Sequence, residues 1–312
     1  MKANKSFLRG FRLLPVMLLS VCISGCATIG GLGFVKSTVS DMALPTINDL
    51  VDNGLRNEDL VVVQSLLEAD LVLLETLALN SPDNLELNAL VSKLYGYYGF
   101  GFVVIDEYQD VDEAEREKAL ERARNLYWRG IDYGMKGLKT NRRFRKALEK
   151  GTPIKDAVNY LGKKDLPAAY GAAFNMGLNL ICSLDVPQVL ALAEDFVDLT
   201  SWIIEADETI EYGTAHVLLG VYYAIMPAVG GGGPDKALAE FEKAIEIEPD
   251  FLINHFFYAR YYPTLLLEEG LFDREINYIL DYPVDEFPAV RALNKVAQRK
   301  AAGMMANRDY YF

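Results

Sequence analysis

Apolar residues recur every three or four positions along most of the chain from Asn57 onward, which is the period of an amphipathic α-helix. Between 119 and 138 one face stays apolar or small through about five turns. That face carries Ala119, Leu120, Ala123, Tyr127, Gly130, Ile131, Gly134 and Leu138. The chain shows no convincing run of residues that alternate as in a strand. The pattern therefore predicts an all-α protein.

Turn-forming residues divide this helical pattern into segments of helix length. Asn80-Ser81-Pro82-Asp83 separates predicted helices at 58–79 and 85–107. Further breaks fall at 151–153, 184–187, 230–234, 248–250 and 282–283. Short breaks between long helices favour antiparallel neighbours. We therefore expect an array of antiparallel helix pairs that forms a single domain over residues 46–312.

One predicted helix pair carries the spacing of a tetratricopeptide repeat. Its second helix has Ala237, Phe241, Ala244 and Pro249 at intervals of four, three and five residues, and its first helix has Leu219, Gly220 and Tyr223. Small residues are needed where the paired helices touch. The pair predicts a tetratricopeptide-like solenoid, with Gly230 to Gly233 as a turn before Pro234 at the start of the second helix.

Two segments place aromatic residues on all sides of a helix, and a third has almost no polar face. These segments are 95–102, 254–262 and 167–181. A helix without a polar face lies at the centre of its domain or lines a cavity. Tight core packing and an apolar ligand cleft both remain open from the sequence. If a cleft exists, the candidate ligand-contacting residues are Tyr95, Tyr98, Phe102, Tyr170, Phe174, His216, Tyr223, His255, Tyr258 and Tyr262.

The composition excludes several functional classes. The 312 residues include 31 basic and 44 acidic side chains, a net charge of −13, and nucleic-acid binding requires the opposite balance. The two histidines lie far apart without Glu or Cys at metal-ligand spacing. The acidic clusters resemble solvated helix faces, and no nucleophile stands beside a base. We therefore predict no catalytic residue, no metal site and no cofactor; a hydrolase is the least favoured alternative.

The first 26 residues have the pattern of a bacterial lipoprotein leader. Lys2, Lys5, Arg9 and Arg12 precede the apolar run 13–23, which is too short to span a bilayer. The run ends in Ile23-Ser24-Gly25-Cys26, which resembles a lipobox; an ordinary signal peptide with a chance cysteine is the alternative. We expect residues 1–25 to be removed, Cys26 to be acylated, and residues 26–45 to form a flexible tether.

Removal of the leader takes four basic and no acidic side chains, so the net charge falls from −13 to −17. Such a surface is repelled by anionic headgroups, and attachment must come from acyl chains on Cys26. Ala27 in place of Asp after the cysteine resembles an outer-membrane sorting signal. We expect an outer-membrane lipoprotein that faces the periplasm, in which Cys182 alone remains as a free thiol.

Four segments together resemble the T-component lipoproteins of TRAP transporters, which are helical and built on cryptic tetratricopeptide repeats. The segments are 95–102, 124–134, 167–174 and 213–249, in the expected order. In the third, Gly171 and Asn175 stand where the resemblance suggests a Trp-rich helix. The resemblance implies a homotrimer with a hydrophobic cleft or pore in each subunit. It also implies a partner, the soluble solute-binding P-component, docked with its ligand site facing that pore.

Two functions are consistent with these observations. The first is an accessory that exchanges a small apolar or amphiphilic solute with the P-component. The second is a repeat scaffold that organises envelope proteins without a small ligand, because repeat arrays offer extended binding surfaces.

Overall fold

The computed structural model describes residues 32–312 except 105, 107–110 and 184–185, with side chains from Leu44 onward. The described residues form helices joined by turns, and none of them lies in a strand. The helices are α1 (Leu32–Leu55), α2 (Leu60–Asn80), α3 (Leu85–Tyr98), α4 (Glu113–Lys139), α5 (Arg142–Glu149), α6 (Ile154–Ala157), α7 (Leu166–Ile181), α8 (Pro187–Leu190), α9 (Ala193–Asp207), α10 (Thr214–Ile225), α11 (Pro234–Ile247), α12 (Leu252–Leu266), α13 (Glu269–Asp281) and α14 (Arg291–Ala306). The all-α prediction is confirmed.

Side-chain caps fix where the first helices begin. An Asp59 carboxylate oxygen accepts a hydrogen bond from the Val61 backbone nitrogen (2.9 Å) at the start of α2. The Asn84 side chain does the same for Leu87 (2.9 Å) at the start of α3, and Asp112 for Glu115 (2.8 Å) at the start of α4. Each cap satisfies a donor that the helix itself leaves unpaired. The predicted break at 80–83 therefore separates two helices as expected.

The centre of the molecule is a three-helix layer of α3, α4 and α7 that is held close by small residues. A Cβ on Gly134 of α4 would lie 2.6 Å from the backbone nitrogen of Ala172 in α7, so the two backbones nearly touch. Polar groups also join the layer: Ser92 Oγ donates to the Gly130 carbonyl (2.7 Å), and Asn175 Nδ2 donates to the Ser92 carbonyl (2.8 Å). Asn175 thus links the helices of this layer, which explains a polar residue inside an apolar helix.

The helix pair with repeat spacing forms as predicted. Helices α10 and α11 pack along their length, and Ala237, Phe241 and Ala244 are fully buried between neighbours. The four-glycine segment makes the turn, and Pro234 opens α11. Helices α12 and α13 form the next pair. The array of antiparallel helix pairs is therefore confirmed.

The C-terminal helix α14 returns to the N-terminal part of the array. It packs against α12 and α13 on one side and against α1 and α2 on the other. An Arg291 guanidinium nitrogen donates to the Arg56 carbonyl (3.0 Å), which ties α14 to the end of α1. The described helices therefore close on themselves, a feature that the sequence pattern did not indicate.

The N-terminal predictions fall mostly outside the described residues. These include the leader at 1–25 and the acylation of Cys26. Residues 26–45 are expected to form a flexible tether, yet the structure places 32–45 in helix α1, with Pro45 inside it. None of the described helices is long and apolar enough to cross a bilayer.

Candidate ligand pocket between aromatic helices

Two of the aromatic-rich segments meet in space. Segment 95–102 ends α3 and continues as a π-helical turn, Gly99–Val103, while segment 254–262 lies in α12. The Phe100 ring is 5.2 Å from the Phe257 ring and 5.9 Å from the Phe256 ring, measured between centroids. Such ring contacts add to the stability that burial provides. Phe100 therefore joins the N-terminal and C-terminal halves of the array.

A small cavity of about 40 Å³ lies beside these rings, between the π-helical turn and helices α4, α7, α12 and α14. Its wall reaches the surface at the partly exposed residues Val104, Cys182 and Tyr261. Most of the wall is apolar or aromatic. It is formed by Phe100, Val104, Asp106, Tyr127, Leu178, Ile181, Cys182, Phe256, Phe257, Arg260, Tyr261 and Lys300. We call it the aromatic pocket.

The π-helical turn shapes one side of this pocket. The Val104 backbone nitrogen donates to the Gly99 carbonyl (3.0 Å), which closes the wider turn. A Cβ on Gly99 would lie 2.5 Å from the Tyr127 ring, so a larger residue would collide with it. Here the turn brings Phe100 and Val104 onto the wall of the pocket.

Tyr127 supplies a polar group to the apolar wall. Its side chain is fully buried, and its hydroxyl has no hydrogen-bond partner among the described residues. Burial raises the pKa of Tyr127 well above its ordinary value, so the phenol stays neutral. An unpartnered buried hydroxyl costs about 1–3 kcal/mol. It is available to bind a polar atom that enters the pocket.

A buried ion pair forms part of the wall. Lys300 Nζ lies 2.9 Å from both carboxylate oxygens of Asp106, and the lysine side chain is 3% exposed. The ammonium is also 5.1 Å from the Phe100 ring centroid. Burial lowers the pKa of Lys300, and the Asp106 carboxylate opposes that shift. The pair gives the pocket charged groups beside the Phe100 ring.

The aromatic residues that the sequence analysis names as candidate ligand contacts do not lie on the wall of the pocket. Tyr170 stacks on Phe174 at 5.5 Å, and Tyr95 stacks on Tyr133 at 6.1 Å. Tyr98 donates a hydrogen bond to Glu68 (2.6 Å) and stacks on Phe102. The side chains of these five predicted residues pack at the contacts that join the helices of the central layer to one another and to α2.

The remaining predicted residues lie in the C-terminal repeats. Tyr258 packs between Phe241 and Tyr262, and the Tyr223 ring lies beneath the Lys236 ammonium. His216 Nδ1 is 2.6 Å from Glu240, and His255 Nδ1 is 2.8 Å from Glu275. Each histidine therefore links the first helix of a pair to the second, at corresponding places in two successive pairs.

The three aromatic or apolar segments each supply residues to the pocket wall, but none of the predicted ligand-contacting residues lies on it. In α12 the wall uses Phe257 and Tyr261, which are adjacent to the predicted Tyr258 and Tyr262. One position along a helix is a rotation of about 100°. Tyr127 belongs to the apolar face at 119–138, but only the fold shows that its hydroxyl is unpartnered. The pairing of Lys300 with Asp106 joins residues 194 positions apart and had no sequence signal.

No group of three or more potential metal ligands occurs among the described residues. Comparisons with known proteins identify relatives of this chain. A family model described as TRAP transporter T-component matches residues 56–312. A Treponema pallidum (strain Nichols) protein described as uncharacterized is 26% identical over 275 residues, which cover 82% of this chain and 81% of that protein. The matched region contains every residue on the wall of the aromatic pocket.

Proposed function

Because the chain belongs to the TRAP transporter T-component family, an accessory transport component rather than an enzyme family, we propose that it passes a small ligand to or from a solute-binding protein. The ligand is apolar or amphiphilic, and the partner is the P-component of a TRAP system. The observation that carries this proposal is the aromatic pocket, with its unpartnered Tyr127 hydroxyl and its buried ion pair.

The composition of the pocket indicates what it would hold. Small-molecule sites are mostly apolar walls with a few polar groups that fix orientation, and the pocket has this composition. Such sites usually measure about 300–1,000 Å³, whereas this cavity measures about 40 Å³. Entry of a ligand therefore requires rings on the wall to move apart. The partly exposed Tyr261 and Val104 lie where that movement meets least resistance.

The partner would dock over the same part of the surface. A solute that leaves one apolar site for another is exposed to water unless the two sites face each other. The P-component would therefore cover the surface at Val104, Cys182 and Tyr261. Acyl chains on Cys26 would hold the protein at the outer membrane, facing the periplasm, after removal of residues 1–25.

Self-association as a homotrimer is part of the proposal. The outer side of helix α2 carries exposed apolar residues among polar ones: Val61, Val72 and Leu79 are 74%, 69% and 68% exposed, and Ser65, Glu68 and Thr76 lie on the same side. Their spacing of eleven and seven residues places them on one helix face. Large apolar side chains that are exposed together on one side of a helix mark an interaction surface. A second copy of the chain would cover it.

Binding of 1-N-phenylnaphthylamine, which fluoresces in apolar sites, tests the ligand part of the proposal. The wild-type protein should bind it, and Cys182→Phe should weaken binding at least tenfold because the added ring fills the cavity. Cys182→Ser, with a side chain of similar size, is the matched control and should bind as wild type does. Equal binding by Cys182→Phe and Cys182→Ser would show that the probe lies elsewhere.

The scaffold alternative is favoured by the close packing of the aromatic rings. It predicts that the P-component or another envelope protein binds while no apolar probe does. A pull-down from periplasmic extract, followed by mass spectrometry for a TRAP solute-binding protein, runs beside the probe measurement. Recovery of the P-component without probe binding supports the scaffold; absence of that protein from the pull-down contradicts the proposed partner.

A further inference from the structure

A second and larger cavity lies away from the aromatic pocket. It measures about 380 Å³ and lies where the end of α1, the middle of α3, the turn before α10 and the start of α14 meet. It shares no wall residue with the aromatic pocket. Its volume falls in the range of small-molecule sites, about 300–1,000 Å³. This junction is where the array of helices closes on itself.

The turn on one side of this cavity has an unusual backbone. Glu211 and Tyr212 have φ angles of 45° and 63°, and Gly213 follows with 78°. Residues other than glycine rarely adopt a positive φ, and each residue that does so lowers the stability of the fold by about 1–3 kcal/mol. Two in succession persist only where the surrounding contacts impose them. Backbone strain of this kind is concentrated at binding and catalytic sites.

The contacts that impose the turn lie on the cavity wall. A Glu211 carboxylate oxygen is 2.9 Å from Lys93 Nζ, and its other oxygen accepts a hydrogen bond from the Tyr97 hydroxyl (2.8 Å). Both oxygens of Glu211 are therefore occupied. Lys93 Nζ has three N–H donors and uses one of them on Glu211, so it keeps donors for a further acceptor.

Arg56 supplies a second cation to the wall. Its backbone is held in place because its carbonyl accepts the hydrogen bond from Arg291 of α14, and the residue itself is exposed. No ion pair of the Arg56 guanidinium occurs within the described part of the chain. A guanidinium presents parallel donors that match a carboxylate in two-point contact. The other charged group on the wall is the Asp52 carboxylate, one turn before Arg56 on α1.

The wall also carries the polar side chain of Thr209 and several apolar side chains. Leu55, Val290 and Leu293 are buried and line the cavity, as do the rings of Tyr97 and Tyr212. An apolar body placed on these side chains would gain about 25 cal/mol for each Å² removed from water. Cations beside an apolar wall form a site for a molecule with an anionic end and an apolar body.

We propose that this cavity is a second ligand site, which binds a small carboxylate with an apolar body. The carboxylate is held by Arg56 and Lys93, and the body packs on Leu55, Val290 and Leu293. Asp52 and Glu211, which is paired with Lys93, both oppose the carboxylate and set the affinity below what the two cations alone would give. The site is independent of the proposed aromatic ligand pocket, because the two cavities have separate walls.

Calorimetric titration of the full-length protein with straight and branched carboxylates of four to eight carbons tests this site. A member of the series should bind, and its uncharged alcohol should bind at least tenfold more weakly. Arg56→Gln should weaken carboxylate binding at least tenfold, whereas Arg142→Gln, at an exposed arginine of α5 outside the cavity, should have no effect. Asp52→Asn should strengthen binding severalfold, because it removes the opposing charge.

Comparison of 4-methylpentanoate with L-leucine distinguishes a carboxylate site from an amino-acid site. The two share a skeleton and differ by the ammonium group. If leucine binds more tightly and Asp52→Asn weakens that binding, the site takes zwitterions and the proposal is wrong. It is also overturned if no carboxylate of the series binds, or if Arg56→Gln binds as well as wild type. Binding of 1-N-phenylnaphthylamine should be unchanged in Arg56→Gln. The carboxylate site can therefore be disproved without disproving ligand binding in the aromatic pocket, and the reverse also holds.

Discussion

At the scale of single residues, two buried tyrosines illustrate opposite uses of a hydroxyl. The Tyr97 hydroxyl donates to Glu211 (2.8 Å), and the Tyr127 hydroxyl has no partner among the described residues. Desolvation by burial, the largest cause for both, raises the pKa of each phenol well above its ordinary value. Both therefore remain neutral donors at physiological pH. Because their surroundings differ, we expect removal of the hydroxyl to have opposite effects on the free energy of unfolding at the two positions.

Tyr127→Phe should leave the free energy of unfolding unchanged or raise it by about 1 kcal/mol, because it removes a buried group without a partner. Tyr97→Phe should lower it by about 1.5–3 kcal/mol, because a hydrogen bond to a carboxylate is lost and an acceptor remains. Urea unfolding followed by circular dichroism measures both. A loss of stability in Tyr127→Phe equal to that in Tyr97→Phe would show that the Tyr127 hydroxyl is paired.

At the scale of helices, the sequence indicated where elements lie better than which side chains face one another. The 80–83 break placed the end of α2 and the start of α3 within one residue of the observed positions, whereas the helix predicted at 85–107 ends at Tyr98 and is followed by the π-helical turn. The repeat spacing in α10 and α11 gave the right buried residues because period and packing agree there. The π-helical turn at 99–103 breaks the period, so no constant helical phase could place Phe100 on the pocket wall.

Small residues set the distance between helices of the central layer, and α4 provides a test. Gly134→Ala should destabilise the protein by about 1–3 kcal/mol, because its Cβ would lie 2.6 Å from the Ala172 backbone nitrogen, which cannot move aside easily. Gly54→Ala in α1 is the matched control. Its Cβ would make an ordinary contact at 3.8 Å with Leu66, so the change should be neutral or stabilising by up to about 1 kcal/mol. Thermal unfolding of both variants measures the difference. Equal effects would mean that helix propensity, rather than close approach, decides the result.

At the scale of the whole molecule, the return of α14 to α1 and α2 determines both cavities. Lys300 on α14 reaches Asp106 in the aromatic pocket, and residues 289–293 complete the wall of the larger cavity. Local sequence patterns report the faces of a helix, and these contacts join residues about 200 or more positions apart. The pocket walls were therefore beyond the reach of sequence reasoning, whereas the helical array and the family resemblance were not.

The outer face of α2 gives the last prediction, which concerns assembly. A charge at the centre of an apolar interface is costly to bury, so Val72→Glu should shift the protein toward monomer if copies of the chain meet there. Val229→Glu is the matched control, because Val229 is 98% exposed on the glycine-rich turn and should not affect assembly. Sedimentation equilibrium of both variants beside wild type measures the mass of each. A wild-type protein that is monomeric at micromolar concentration would contradict the homotrimer, and a trimer unaffected by Val72→Glu would place its interface on another face. Because Val72 is already 69% exposed, the substitution should leave the folded chain itself intact, which keeps loss of assembly distinct from loss of folding.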